Sequence, residues 1–175
     1  MADTHEIAVT IIGADQPGII AAMTGALTDV DGNIEDSSMT ILRGHFAMTL
    51  IVRTWASVDQ VRTAVEPPAS SLRLLVDVRE VAEAADPGMA GPTHMLVVQG
   101  ADRPQIVARI MAVVAAHGGN VTDLTTRLVG TMYLLAAEVQ LPLTADVDAL
   151  SAELAAVAAT LGVDAALRPA EADVL

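Results

Sequence analysis

The chain has 175 residues, 53% hydrophobic and 18% charged, with a mean hydropathy of +0.50 and a net charge of −13. That is enough apolar material for one mid-sized core or two small ones, and it argues against a disordered chain. The lack of cysteine excludes disulfides, thiolate metal sites and a cysteine nucleophile; all nine basic residues are arginine, which excludes lysine Schiff-base chemistry.

The acidic charge is spread over both halves and aromatic residues make up 2%, so direct nucleic-acid binding is not expected. No apolar run reaches bilayer length, and the start MADTHE has no signal-peptide regions. The expected location is cytoplasmic, with no membrane contact.

Ile7, Val9 and Ile11 alternate in a first strand, and Pro17 is expected to open a helix carrying Ile19, Met23, Leu27 and Val30 at helical spacing. Asp31-Gly32-Asn33 stops that helix. Ile34 to Leu42 reads as a second strand, turning at Arg43-Gly44-His45 into a third from Phe46 to Arg53, where Phe46, Met48, Leu50 and Val52 share a face. Ser57 caps a second helix running towards Glu66, Pro67-Pro68 prevents its continuation, and Leu72 to Val81 supplies a fourth strand.

An offset of 87 residues then brings the chain into register with itself. Gly13, Ala14, Asp15, Pro17, Ile19 and Ala21 fall on Gly100, Ala101, Asp102, Pro104, Ile106 and Ala108; Gly32, Asn33 and Asp36 fall on Gly119, Asn120 and Asp123; Phe46 meets Tyr133. The second series reads as strand Met95 to Val98, helix Pro104 to Ala116, hairpin Val121 to Val129 with Thr131 to Leu141, helix Ala145 to Leu161 and a strand near Val163 to Leu167. The expected fold is α+β: two ferredoxin-like βαββαβ domains, each an antiparallel sheet with helices on one face. The expected boundaries are residues 1–82 and 93–169, joined by an Ala/Gly/Pro-rich linker at 83–92 and followed by a tail at 170–175.

The loop GADQPG after strand one and Gly-Asn-Ile at strand two resemble the G-x-D-x-P-G-I and G-N-I features of ACT domains. Two such domains with nothing else resemble the glycine cleavage system transcriptional repressor family; the regulatory segment of formyltetrahydrofolate deformylase is similar to the first copy, but no room for its catalytic domain is expected. The resemblance implies a non-catalytic regulatory protein that senses a small amino acid of the glycine or serine class. It implies action through a protein partner, such as a transcription regulator or metabolic enzyme, with no cofactor.

The residues themselves fit such a ligand. Amides after Pro17 suit a carboxylate, Gly18 permits close approach, Asp15 can accept from an α-ammonium, and Asn33 offers both donor and acceptor. The candidate site is Asp15, Gln16, Pro17, Gly18, Ile19 and Asn33. Its second-copy counterpart is Asp102, Gln105, Ile106 and Asn120, where the Gln105 side chain stands in the carboxylate's place, so that site is expected to be altered or empty.

Two plainer readings stay open. Asp before Pro is also an ordinary helix cap and Gly-Asn an ordinary helix stop. The chain also fits a ligand-free dimerisation module, since duplicated edge strands favour a closed homodimer.

Other side chains offer no chemistry. His5, His45, His94 and His117 lie where exposed histidines are common, with no metal-ligand spacing. Glu35 and Asp36, neighbours on a strand, point to opposite sides. Met23, Met39, Met48, Met95, Met111 and Met132 are expected to fill core gaps, and Trp55 to pack between domains. No catalytic triad is indicated.

Overall fold

The computed structural model describes residues 4–81 and 91–170, and the chain divides into two compact units, residues 1–86 and 87–175. The expected linker lies outside the described residues except for Gly91 and Pro92, as does the expected tail except for Ala170.

The first unit runs β1 (His5–Ala14), α1 (Ile19–Thr28), β2 (Asn33–Leu42), β3 (His45–Thr54), α2 (Val58–Ser71) and β4 (Leu75–Glu80). The second runs β5 (Thr93–Ala101), α3 (Ile106–Ala116), β6 (Asn120–Val129), β7 (Met132–Gln140), α4 (Val147–Leu161) and β8 (Val163–Pro169). The sheet orders are β2-β3-β1-β4 and β6-β7-β5-β8, every neighbouring pair antiparallel. The fold is thus the duplicated ferredoxin-like sandwich that the repeat predicts.

Strand alternation and helical spacing build each core. Ile7, Val9 and Ile11 of β1 and Phe46, Met48, Leu50 and Val52 of β3 are buried beneath Ile19, Met23 and Leu27 of α1 and Val61, Val65 and Ala69 of α2. The second core repeats this with Leu96, Val98, Leu135, Ala137 and Val139 under Ile106, Ile110, Val113, Leu150, Leu154 and Ala158. Ser57 forms a reciprocal capping box with Gln60, and Asp146 caps α4 through the Ala149 amide at 2.9 Å.

Several expectations are corrected. Helix α2 runs through Pro67-Pro68 to Ser71. Val61, Val65 and Ala69 form one buried stripe, so burying Ala69 favours a further turn; past the C-cap Leu72 the chain turns at Arg73, left-handed at φ 54, delaying β4 to Leu75. Helices α1 and α3 start at Ile19 and Ile106, two residues beyond each proline, because Gly18 and Gln105 take left-handed backbone angles that cannot continue a helix.

Of the methionines, Met23 and Met48 are buried, Met95 and Met111 half-buried, and Met39 and Met132 exposed. The last two face solvent because β2 and β6 are edge strands beyond the cover of the helices; β2 is exposed along its whole length. Trp55 is exposed. His94 is buried, not exposed, its Nδ1 3.2 Å from the Pro92 carbonyl. A bulge at Glu35, matched at Thr122, interrupts the strict alternation assumed for Glu35 and Asp36. Glu35 pairs with Arg53 at 3.0 Å, and the Asp36 carboxylate accepts the Ser37 amide at 2.8 Å. No helix among the described residues is long and apolar enough to cross a membrane.

Candidate functional site

Each residue of GADQPG has a separable role. Gly13 lies where β1 passes β4: a Cβ there would stand 2.5 Å from Leu74 Cδ2, and at Gly100 it would stand 2.9 Å from Val163 Cα. The first glycine of both loops is therefore a packing requirement. The Asp15 amide donates to the Gly44 carbonyl at 2.8 Å, which pins the loop to the β2–β3 turn. Gln16 donates its side-chain amide to the Leu72 carbonyl at 2.7 Å, tying the loop to the end of α2.

Gly18 is the N-cap of α1, with φ 94 and open space where a Cβ would stand. No side chain caps α1. The Asp15 carboxylate is exposed and forms no hydrogen bond or ion pair among the described residues, so the ordinary capping role is not the one it plays. The first helical bond runs from the Ala22 amide to the Gly18 carbonyl at 2.9 Å, leaving the amides from Gly18 to Ala21 without a partner among the described residues.

These groups border an open cleft of about 470 Å³, lined by the run from Asp15 to Ala21 and floored by Met39, Ile41 and Phe46. Asp15, Gln16, Pro17, Gly18 and Ile19 come together there. The Ile19 side chain is 2% exposed and belongs to the core, so its backbone alone is free to act.

Asn33 does not join them. It pairs with Arg53, and Arg53 with Glu6, whereas the loop follows Ala14 at the other end of β1. At about 3.3 Å per residue, the separation is roughly 25 Å. A right-handed βαβ unit makes β1 and β2 parallel, so the start of β2 must lie opposite the end of β1. That signal was present in the sequence. Asn120 is likewise remote from its loop, opposite Gln140 and Thr93. Ile20, Ala21, Met39, Ile41 and Phe46 line the cleft without being candidates from the sequence.

In the second copy Asp102 and Gln105 are exposed, with no side-chain hydrogen bond among the described residues, and Ile106 is buried. Gln105 keeps the left-handed turn at φ 73. Arg103, which replaces Gln16, rests its guanidinium over Gly162 at the end of α4: a Cβ on that glycine would lie 3.4 Å from Arg103 Cζ. Among the described residues no group of three or more His, Asp or Glu side chains is placed to hold a metal.

Two βαββαβ units in one chain, each with a loop-to-helix corner at the end of its first strand, define a tandem of small ferredoxin-like modules. The chain belongs to the ACT-domain family, whose sequence model matches residues 5–79 and 94–167.

The glycine cleavage system transcriptional repressor of Escherichia coli (strain K12) is 27% identical over 147 residues, covering 83% of this chain and 76% of that protein. A UPF0237 protein of Methanopyrus kandleri is 52% identical over 74 residues, covering 41% of this chain and 82% of its own. Among solved structures, an unknown protein from Galdieria sulphuraria superposes with a TM-score of 0.81 at 27% identity, covering 96% of this chain and 99% of that one. A protein provisionally assigned as a glycine cleavage system transcriptional repressor shares the fold, with a TM-score of 0.70 at 18% identity over 94% of this chain and 96% of its own.

Proposed function

We propose that the chain is a non-catalytic regulatory protein that senses a small amino acid in the first-domain cleft and acts through a protein partner. The cleft carries this reading, because it sets unpartnered helix-start amides beside an unpaired Asp15 carboxylate. The two ends of a zwitterion match them: carboxylate to the amides of Gly18 to Ala21, ammonium to Asp15. Asn33, level with the opposite end of β1, is not assigned to this ligand.

The relative named for the glycine cleavage system supports glycine or serine as first candidates, and its description as a repressor supports an effect on transcription. A net charge of −13 disfavours contact with a phosphate backbone, so the effect is assigned to a protein partner such as a transcription regulator or metabolic enzyme. Sensing further requires that the ligand favour one arrangement of the protein over another.

Calorimetric titration of the full chain with a panel of amino acids tests the reading. Saturable heat with at least one is expected; folded protein that shows none at millimolar concentration overturns it. A ligand-free homodimer is the second reading, favoured by the exposed β2 edge with Ile34, Met39, Ile41 and Leu42 outward. It predicts a dimer in sedimentation whose partner binding ignores both amino acids and Asp15→Ala.

A further inference from the structure

We infer that the first-domain cleft selects an amino acid with an aliphatic or thioether side chain, of the leucine, isoleucine, valine or methionine class, over glycine or serine. The inference rests on the proposal that this cleft binds an amino acid, and it replaces the glycine and serine suggested by the relative's name as first candidates. Asp15 and the amides from Gly18 to Ala21, without a partner among the described residues, match both charges of the ligand backbone. Apart from Asp15 and Gln16, the other side chains of the lining are apolar: Pro17, Ile20, Ala21, Met39, Ile41 and Phe46.

Gln16 is the one side-chain amide in that lining, tied by its nitrogen to the Leu72 carbonyl, whereas the floor of Met39, Ile41 and Phe46 carries no hydrogen-bonding side chain. A serine hydroxyl turned towards this floor would give up water without a partner in exchange, and glycine would leave the floor wet. An aliphatic side chain does the opposite. Ile20, Met39 and Ile41 stand 46%, 42% and 47% exposed, so covering them removes apolar surface from water. The flexible thioether of Met39 adapts to branched and unbranched chains alike.

The second copy shows that the fold does not demand this lining. At the 87-residue offset Met39 becomes Thr126 and Phe46 becomes Tyr133, while Gly18 becomes Gln105. Ile41 becomes Leu128 and Ile20 becomes Val107, so the second floor stays largely apolar but carries two hydroxyls, below a helix start where Gln105 stands in place of glycine.

The test is calorimetry on the full chain with L-leucine, L-isoleucine, L-methionine, glycine and L-serine, repeated on Ile41→Asn and Met39→Gln with sedimentation of each. Both substituted positions are exposed on an edge strand, so the fold survives. The expected result is leucine-class binding about tenfold or more tighter than glycine or serine, a preference lost in the variants. Glycine or serine binding as tightly as leucine overturns this inference and leaves amino-acid sensing intact; no binding by any amino acid overturns both. Variants that shift the association state yet keep the leucine preference overturn it too, assigning the floor to a second copy of the chain.

Discussion

At Gly18 and at Gln105 the chain enters corresponding helices through the same left-handed turn, φ 94 and φ 73, with a glycine in one case and a glutamine in the other. The turn is therefore a demand of the fold, and the glycine is not. What sets Gly18 apart is the space it leaves in front of the free amides. The tethers differ as well: loop one is held by the Asp15 amide on Gly44 and by Gln16 on Leu72, loop two by Arg103 lying over Gly162. A loop fixed before its ligand arrives loses less freedom on binding.

The comparison can be broken at its shared element. Gly100→Ala is expected to destabilise the chain most, by about 2–3 kcal/mol in chemical denaturation, because the new Cβ meets Val163 backbone that cannot rotate away. Gly13→Ala meets the movable end of Leu74 and costs less. Equal losses would mean that the first glycines are not distinguished by what they face.

Gly18→Gln writes the second loop's residue into the first. The substitution is expected to cost about 1 kcal/mol in stability, from the left-handed backbone, and to weaken amino-acid binding about tenfold by filling the space before the amides. Unchanged affinity in calorimetry would remove the functional difference between the loops.

The capped helix provides a control. Ser57→Ala should lower stability by about 1 kcal/mol through loss of the α2 capping box. Asp15→Ala should change it by less than about 0.5 kcal/mol, since that carboxylate makes no bond, while weakening ligand binding. A loss at Asp15 as large as that at Ser57 would restore the capping interpretation. The smallest effect is expected for Gln105→Gly, a gain of about 0.5 kcal/mol from relief of the left-handed glutamine, read as a raised Tm.

The fold was largely legible because the repeat supplied two independent readings of the same pattern. Ile7, Val9 and Ile11 alternate inward as expected, and Ser57 caps as expected. Helix α2 was misjudged because the Pro67-Pro68 signal is local, whereas burial of Ala69 depends on the sheet that the helix covers. The site was legible only in its loop. Asp15 and Gly18 could be picked from chain order, but Met39 and Ile41 reach the cleft through the pairing of β2 with β3, which brings Met39 opposite Met48 and Ile41 opposite Phe46. Asn33 was assigned to the wrong end of the sheet by treating neighbours in a motif as neighbours in space.

The extra residue at Glu35 and at Thr122 bears on how the chain meets others. A flat, uninterrupted edge is a template for unlimited lateral growth, and here the outer strands β2 and β6 are kinked near their start. Pairing between molecules along β2 would thereby be confined to the stretch beyond the kink, Asp36 to Leu42 in the first unit. So short a pairing segment suits a closed association of a few chains and works against fibre formation.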